Sequence, residues 1–339
     1  MAAITEAEYD SFLPLAERQL ITRVRRLVER NGPRAKESAK GLITGIGDDC
    51  AVLRIPAGHD TLVTTDFSLE GVHFRREWES PQHIGHRCLT RGLSDIAAMG
   101  GEPVAVFLSL ALPNKTPQRW VDGFFDGLLK LANQFQVPLA GGDTSQSPDK
   151  IFADIIVLGS VPKGKAILRS TARPGDRLYV TGELGGAAAE LDQLYSQTRK
   201  ARVTRSTALP QPRIDIGRKL RERGLATAMI DISDGLSTDI AHICKESGVG
   251  AHVWANTLTR ASIRKHPVDL QFALHGGDAY ELLFTAGKRT RVPTSIDRVK
   301  ITAIGEVTRG TNILLLEDGQ RPQVLMRRGW EHFRPSSRK

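Results

Sequence analysis

One acidic turn recurs five times between the apolar segments of this 339-residue chain, and it limits the possible folds more than any other feature. It appears in Gly45-Ile-Gly-Asp48-Asp49, Thr64-Thr65-Asp66, Ser94-Asp95, Gly141-Gly142-Asp143-Thr144 and Asp231-Ile-Ser233-Asp234-Gly235. Glycine tolerates positive φ and the close approach of another group. Clustered carboxylates repel each other and are costly to desolvate unless a cation or hydrogen-bond donors compensate. A single such turn is ordinarily a helix cap or a loop residue. Five of them, each near the end of an expected element, imply side chains that converge on a cleft. Oxygen donors without His or Cys partners select Mg²⁺ or a similar hard cation.

The apolar segments between the turns alternate in period. Leu15, Leu20, Ile21, Val24, Leu27 and Val28 follow helical spacing and predict a helix over 15–30, ended by Asn31-Gly32-Pro33. Residues 34–44 are polar and read as a mobile connection. Residues 51–55 and 61–65 read as strands joined in a hairpin. A helix from Pro81 to Met99, a strand over 104–112, a helix over 117–135 and strands over 137–140 and 151–161 complete the first half. After a turn at 173–176, strands are expected over 177–181, 226–230, 251–254, 280–285, 301–307 and 313–316. Helices are expected after Gly186, over 214–223 and over 236–247, with 197–211 a polar, basic connection. The alternation implies an α/β (α+β layered) protein of two domains, divided near residues 162–172 into 1–165 and 166–339.

Composition excludes several classes. With 40% hydrophobic and 25% charged residues the chain is globular, and no run of about 18 apolar residues suits a membrane span. The N-terminus lacks the basic-then-apolar order of a signal peptide. Cys50, Cys88 and Cys244 are widely spaced and read as reduced thiols of a cytoplasmic protein, with neither a zinc site nor a disulfide framework. A net charge of +9 suits an anionic partner, but no zinc finger or aromatic RNA platform supports nucleic acid. Phosphorylated small molecules suit it better. An acidic cleft binds a nucleotide through bridging Mg²⁺. The usual phosphate loops are absent, since Gly164-Lys165 is followed by Ala166 and Gly45-Ile-Gly47 lacks a third glycine.

The longer motifs are specific. Gly45-Ile-Gly-Asp-Asp-Cys-Ala-Val-Leu53, Glu70-Gly-Val-His73-Phe74, Leu93-Ser-Asp-Ile-Ala-Ala-Met-Gly100, Gly141-Gly-Asp-Thr144, Ile230-Asp-Ile-Ser-Asp-Gly-Leu236, Gly276-Gly-Asp-Ala-Tyr-Glu-Leu-Leu-Phe-Thr285 and Gly329-Trp-Glu-His-Phe333 run in order along the chain. Together they resemble the thiamine-monophosphate kinase family, within the superfamily of aminoimidazole ribonucleotide synthetase, selenophosphate synthetase and HypE. The resemblance implies an N-terminal α/β domain that binds ATP and Mg²⁺ and pairs in a homodimer, followed by a C-terminal α/β domain. It implies transfer of the γ-phosphoryl of ATP to thiamine monophosphate, the last step to thiamine diphosphate.

By matching motif, Asp49, Thr64, Thr65, Asp66, Asp95, Asp143 and Asp231 are expected to hold Mg²⁺, with Asp234 holding a further ion. Gly142, Asp143, Arg169 and Ser233 are expected at ATP, and His73, Asp278 and Trp330 at thiamine monophosphate. The acceptor is itself a phosphate with a second pKa of about 6, so no general base is needed. Direct in-line transfer follows, driven by alignment and charge neutralisation.

Three other classes share parts of this pattern. An aminoimidazole ribonucleotide synthetase would share the fold, but its motifs differ from Ser233-Asp-Gly-Leu236 and Tyr280-Glu-Leu-Leu-Phe284. Selenophosphate synthetase requires a catalytic Cys with Lys in a glycine-rich N-terminal loop, whereas the first Cys here is Cys50. A basic RNA-binding or scaffold descendant would keep the fold without turnover. One departure stands out: the family's Gly-Gly-Glu-Asp-Tyr-Glu reads Gly276-Gly-Asp278-Ala279-Tyr280-Glu281 here. Asp278 keeps the charge with one methylene less reach.

Overall fold

The computed structural model describes residues 17–32, 41–46, 50–196 and 209–333. These divide into two compact units, one of residues 17–96 and 101–164, the other of 97–100, 165–196 and 209–333. No helix among the described residues is long and apolar enough to cross a membrane.

In the first unit, α1 (Glu17–Asn31) is followed by the short strands β1 (Leu42–Thr44) and β2 (Val52–Leu53). The long strand β3 (His59–Leu69) precedes α2 (Pro81–Ala98), and β4 (Glu102–Pro113) precedes α3 (Gln118–Gln134). Strands β5 (Leu139–Ser147) and β6 (Phe152–Pro162) complete a four-stranded sheet of order β3-β6-β4-β5. Only β4 and β5 pair in parallel. Helix α1 buries Leu20 and Val24, and the Arg23 guanidinium grips Asp122 of α3 at 2.5 and 2.6 Å. Helices α2 and α3 approach very closely at two glycines. A Cβ on Gly85 would strike the Phe124 carbonyl, and one on Gly127 the Gln82 carbonyl. Gly92 likewise seats α2 against Val157 and Ile155 of the sheet.

Three local expectations fail here. Strands 51–55 and 61–65 do not form a hairpin, because β2 pairs with β1 and β3 pairs with β6 over eleven residues. Residues 42–44, expected in a mobile connection, are the strand that supplies that partner, while 33–40 lie outside the described residues. The strand expected over 137–140 instead runs to Ser147, so Asp143 lies within β5 and not in a turn. The pairing offered by a long neighbouring strand outweighs the turn propensity of Gly-Gly-Asp.

The second unit begins with a 3₁₀ turn (Arg169–Thr171) and β7 (Arg177–Thr181). Helices α4 (Gly186–Ser196) and α5 (Ile214–Glu222) follow, with 197–208, most of the expected basic connection, outside the described residues. Next come β8 (Ala228–Asp231), α6 (Leu236–Ser247) and β9 (Gly250–Trp254). A small hairpin of β10 (Ser262–Ile263) and β11 (His266–Pro267) leads to α7 (Leu270–His275). Strands β12 (Leu282–Ala286), β13 (Ser295–Ile296), β14 (Val299–Thr308), β15 (Ile313–Leu316) and β16 (Gln323–Val324) end the unit. The main sheet runs β16-β15-β9-β14-β7-β12-β8, with β13 paired to β14. Leu236, Ile240 and Ile243 recur at helical spacing on α6 and join Val180, Ile230, Leu283 and Ile304 of the sheet in one buried core.

Candidate functional site

Each unit gathers its own set of the expected residues. In the first unit, β3 carries three of them in sequence, and successive strand side chains point to opposite faces. The Thr64 hydroxyl donates to Asp95 on α2, so Thr64 and Asp95 meet on the helix-covered side. Asp66 shares the Thr64 face and lies near Cys88 of α2, whose thiol is pushed up to about 12 by burial, with a smaller contribution from the Asp66 charge. Thr65 points the other way and donates to Asp154 of β6 at 2.6 Å. Asp143 of β5 is in register with Ser109 of β4, which is opposite Asp154, and its Oδ1 accepts the Thr144 N–H at 2.8 Å. Gly142 has φ +148°, and a Cβ there would lie 1.9 Å from the Leu108 carbonyl oxygen. Only glycine lets the β5 backbone come this close to β4. Asp49 lies outside the described residues.

His73 sits in the loop between β3 and α2. Its Nδ1 accepts the Leu69 N–H at 3.0 Å, so in the neutral ring the proton is on Nε2, which becomes a donor. Glu70 holds this loop from both ends. Its Oε2 accepts the Ile151 N–H at 2.9 Å, and its Oε1 pairs with Arg76 at 2.5 Å.

In the second unit the expected residues converge on one short segment, Ile232-Ser233-Asp234. The Ile232 carbonyl accepts the Tyr280 N–H at 2.8 Å, the Ser233 carbonyl the Asp278 N–H at 2.8 Å, and the Asp234 carbonyl the Trp330 N–H at 2.9 Å. Residues expected at ATP, metal and substrate, read from three separate motifs, thus hang on three consecutive carbonyls. Asp278 and Tyr280 both have positive φ, +61° and +52°, which is uncommon for residues with a Cβ. That conformation delays the strand expected over 280–285 until Leu282. Trp330 is half exposed and packs edge-on against His332. Asp231, at the end of β8, is buried.

The same segment shows groups that sequence reasoning missed. Asp239 of α6 is buried, and its Oδ2 accepts the Gly235 N–H at 3.0 Å, closing the turn that carries Asp234. Burial, with the charges of Asp231 and Asp234, raises Asp239 well above the usual carboxylate range. Asp234 and Asp239, with His242, present ligand atoms within 4.8 Å of one another, a donor set that fits a bound metal. His242, one turn further, is lowered by burial and by the Arg169 charge, while Asp234 acts in the opposite sense. This places the exposed Arg169 within electrostatic reach of α6, where the Ser247 hydroxyl donates to its carbonyl at 2.8 Å. The Asp239-x-x-His242 spacing was readable on the expected helix. Asp154, an acid on a solvent-facing strand position, carried no such signal.

Fold and acid-lined segments define a protein related to aminoimidazole ribonucleotide synthetase. Residues 47–161 match the family described as AIR synthase related protein, N-terminal domain, and residues 173–315 match the corresponding C-terminal domain. The chain is 36% identical over 322 residues to a thiamine-monophosphate kinase of Salmonella typhimurium, covering 91% of this chain and 97% of that one. The thiamine-monophosphate kinase structure from Stenotrophomonas maltophilia K279a superposes with a TM-score of 0.76 at 34% identity, covering 90% of this chain and 98% of that one. A structure described as AaThiL complexed with AMPPCP and TMP has a TM-score of 0.69 at 29% identity, covering 94% of this chain and 99% of that one. The chain belongs to the thiamine-monophosphate kinase family, and with that the fold and the kinase class implied by its motifs are established.

Proposed function

We propose that this protein transfers the γ-phosphoryl group of ATP to thiamine monophosphate, giving thiamine diphosphate and ADP with Mg²⁺ bound. The observation that carries this reading is the attachment of Asp278 and Trp330 to the Ser233–Asp234 backbone. That attachment would hold the groups assigned to substrate and nucleotide at a fixed spacing, which in-line transfer between two anions requires.

Asp66, Asp95 and Asp143, with Thr64, Thr65 and Asp49, would hold Mg²⁺ from the first unit, as Asp231 and Asp234 would from the second. When bound, the ions would supply charge neutralisation for the anionic donor and acceptor phosphates. Arg169 serves the ATP phosphates with a forked, permanently charged group. His73 offers Nε2–H to the acceptor phosphate. The Asp278 carboxylate and the Trp330 ring face the cationic thiazolium, one by charge and one by its π face. No residue is needed to remove a proton, because the acceptor phosphate is largely dianionic near pH 7.

The test uses the purified full-length protein with MgATP and thiamine monophosphate, following products by chromatography. Thiamine diphosphate and ADP should form in equal amounts. Folded protein that leaves thiamine monophosphate unchanged while ATP remains intact would overturn the reading.

The same proposal includes assignment of residues 1–165 to ATP and Mg²⁺ binding and to homodimer formation, and of 166–339 to the C-terminal domain. In support, one face of the β3-β6-β4-β5 sheet carries Val63 (68% exposed), Phe67 (59%) and Phe152 (38%). Three large apolar side chains on one open sheet face suit a covered surface. Light scattering at micromolar concentration should give twice the chain mass; a monomer would refute the assembly.

A further inference from the structure

Among the described residues, one ligand atom each from Asp234, Asp239 and His242 lies within 4.8 Å of the other two. Asp239 and His242 are three positions apart on α6 and therefore share a face. An Asp-x-x-His pair on one helix face, completed by a carboxylate from the preceding turn, is a metal-binding arrangement also built by Glu-x-x-His motifs in helical bundles. Side-chain shifts of a fraction of an ångström would bring all three donors to the ligand distances of about 2.0–2.6 Å of a single ion. Asp239 Oδ2 accepts the Gly235 N–H, but a carboxylate offers about four acceptor positions, so the group keeps capacity for an ion.

The donor chemistry differs from that of the first unit. Asp66, Asp95, Asp143, Thr64 and Thr65 present oxygen alone, which suits Mg²⁺. An imidazole in the set shifts preference toward first-row transition cations. We propose that Asp234, Asp239 and His242 form a site for such a divalent cation, Mn²⁺ or Zn²⁺, with His242 as a direct nitrogen ligand. The inference shares Asp234 with the kinase reading but does not depend on turnover, since metal alone is the probe.

The experiment adds Mn²⁺ to metal-free, full-length protein without nucleotide and records pulsed electron paramagnetic resonance. Wild-type protein should show a directly coordinated ¹⁴N coupling, replaced by a ¹⁵N coupling when the protein is labelled with ¹⁵N-histidine. His242→Gln should abolish the nitrogen coupling and weaken the tightest Mn²⁺ binding about 10-fold. Asp66→Asn should retain the coupling. Absence of nitrogen coupling in the wild type, or its persistence in His242→Gln, would overturn the proposal. The isotope arm needs no substitution, and a coupling that stays ¹⁴N in the ¹⁵N-histidine protein would overturn the proposal even if the variant fails to fold. Wild-type protein that shows the coupling but makes no thiamine diphosphate from MgATP and thiamine monophosphate would refute the functional reading and leave the metal site standing.

Discussion

The Tyr280 hydroxyl donates a hydrogen bond of 2.9 Å to Oδ1 of Asp278, two residues back in the same strained loop. Tyr280 is almost wholly buried, so the carboxylate is steered from beneath by a side chain that cannot move. Asp278→Ala should raise the KM for thiamine monophosphate by more than tenfold with little change in kcat, whereas Asp278→Glu should stay active. Tyr280→Phe removes only the donor and should raise KM about 2- to 10-fold, the worth of one hydrogen bond. Steady-state kinetics decide: an unchanged KM in the Ala variant leaves Asp278 without a role in substrate binding.

Asp66 and Asp95 differ from ordinary caps in their setting. Asp95 receives the Thr64 hydroxyl, and Asp66 lies one strand residue beyond Thr65 on the Thr64 face. Asp66→Asn and Asp95→Asn remove ligand charge without changing core volume, so turnover should fall about a hundredfold or more with the circular dichroism unchanged. Extra Mg²⁺ should restore part of it. Near-normal activity at low Mg²⁺ would show that the substituted residue is no ligand.

The loop bearing Asp278 is anchored at its far end by charge. The Arg213 guanidinium clasps Glu281 with both arms, Nε to Oε2 at 2.8 Å, and the Thr181 hydroxyl donates to the same carboxylate. Removing one partner of a buried pair leaves the other charge uncompensated. Arg213→Ala should cost about 3 kcal/mol, the low end of the usual range because Arg213 is partly exposed. Arg213→Lys should recover only part, as the fork is lost. Urea unfolding measures both, and a loss below about 1 kcal/mol in the Ala variant would contradict the anchoring role.

His275 links α7 to α6 through a 2.8 Å contact between Nδ1 and the Ser237 hydroxyl. Burial, with the Arg328 charge, lowers its pKa below the usual histidine range of about 6.5. With the folded value below the unfolded one, its contribution is fully present above about pH 6.5 and is lost as pH falls through the folded value. His242 acts with the same sign. The melting temperature should therefore drop from pH 8 to pH 5, and the gap between wild type and His275→Gln should narrow over that range. A gap that stays constant would remove His275 from the acid response.

Much of the fold is legible in the sequence. Helices 81–99, 117–135, 214–223 and 236–247 were plain from apolar spacing, because packing one face against a sheet demands that periodicity. The motifs pointed to the family to which the chain belongs, because long runs of glycine and carboxylate in a fixed order rarely arise by chance. What local pattern misjudged were segments whose conformation depends on distant partners. Val52–Leu53 pairs with 42–44 and not with the next strand, and Asp143 lies inside a strand because β4 runs alongside it.

By itself, then, the sequence determined the alternation of elements, the kinase family and the residue types available for metal, nucleotide and substrate. Tertiary structure alone decided which of them meet. Thr64 and Thr65 are neighbours in the chain yet face Asp95 and Asp154 on opposite sides of one sheet, because a strand alternates its side chains. Asp278 and Trp330, far from Ser233 and Asp234 in the chain, join them because the carbonyls of Ile232, Ser233 and Asp234 accept the backbone N–H groups of Tyr280, Asp278 and Trp330. Hydrogen-bond satisfaction across long sequence separations leaves no local signature, and it is what brings three motifs of the second unit onto one segment.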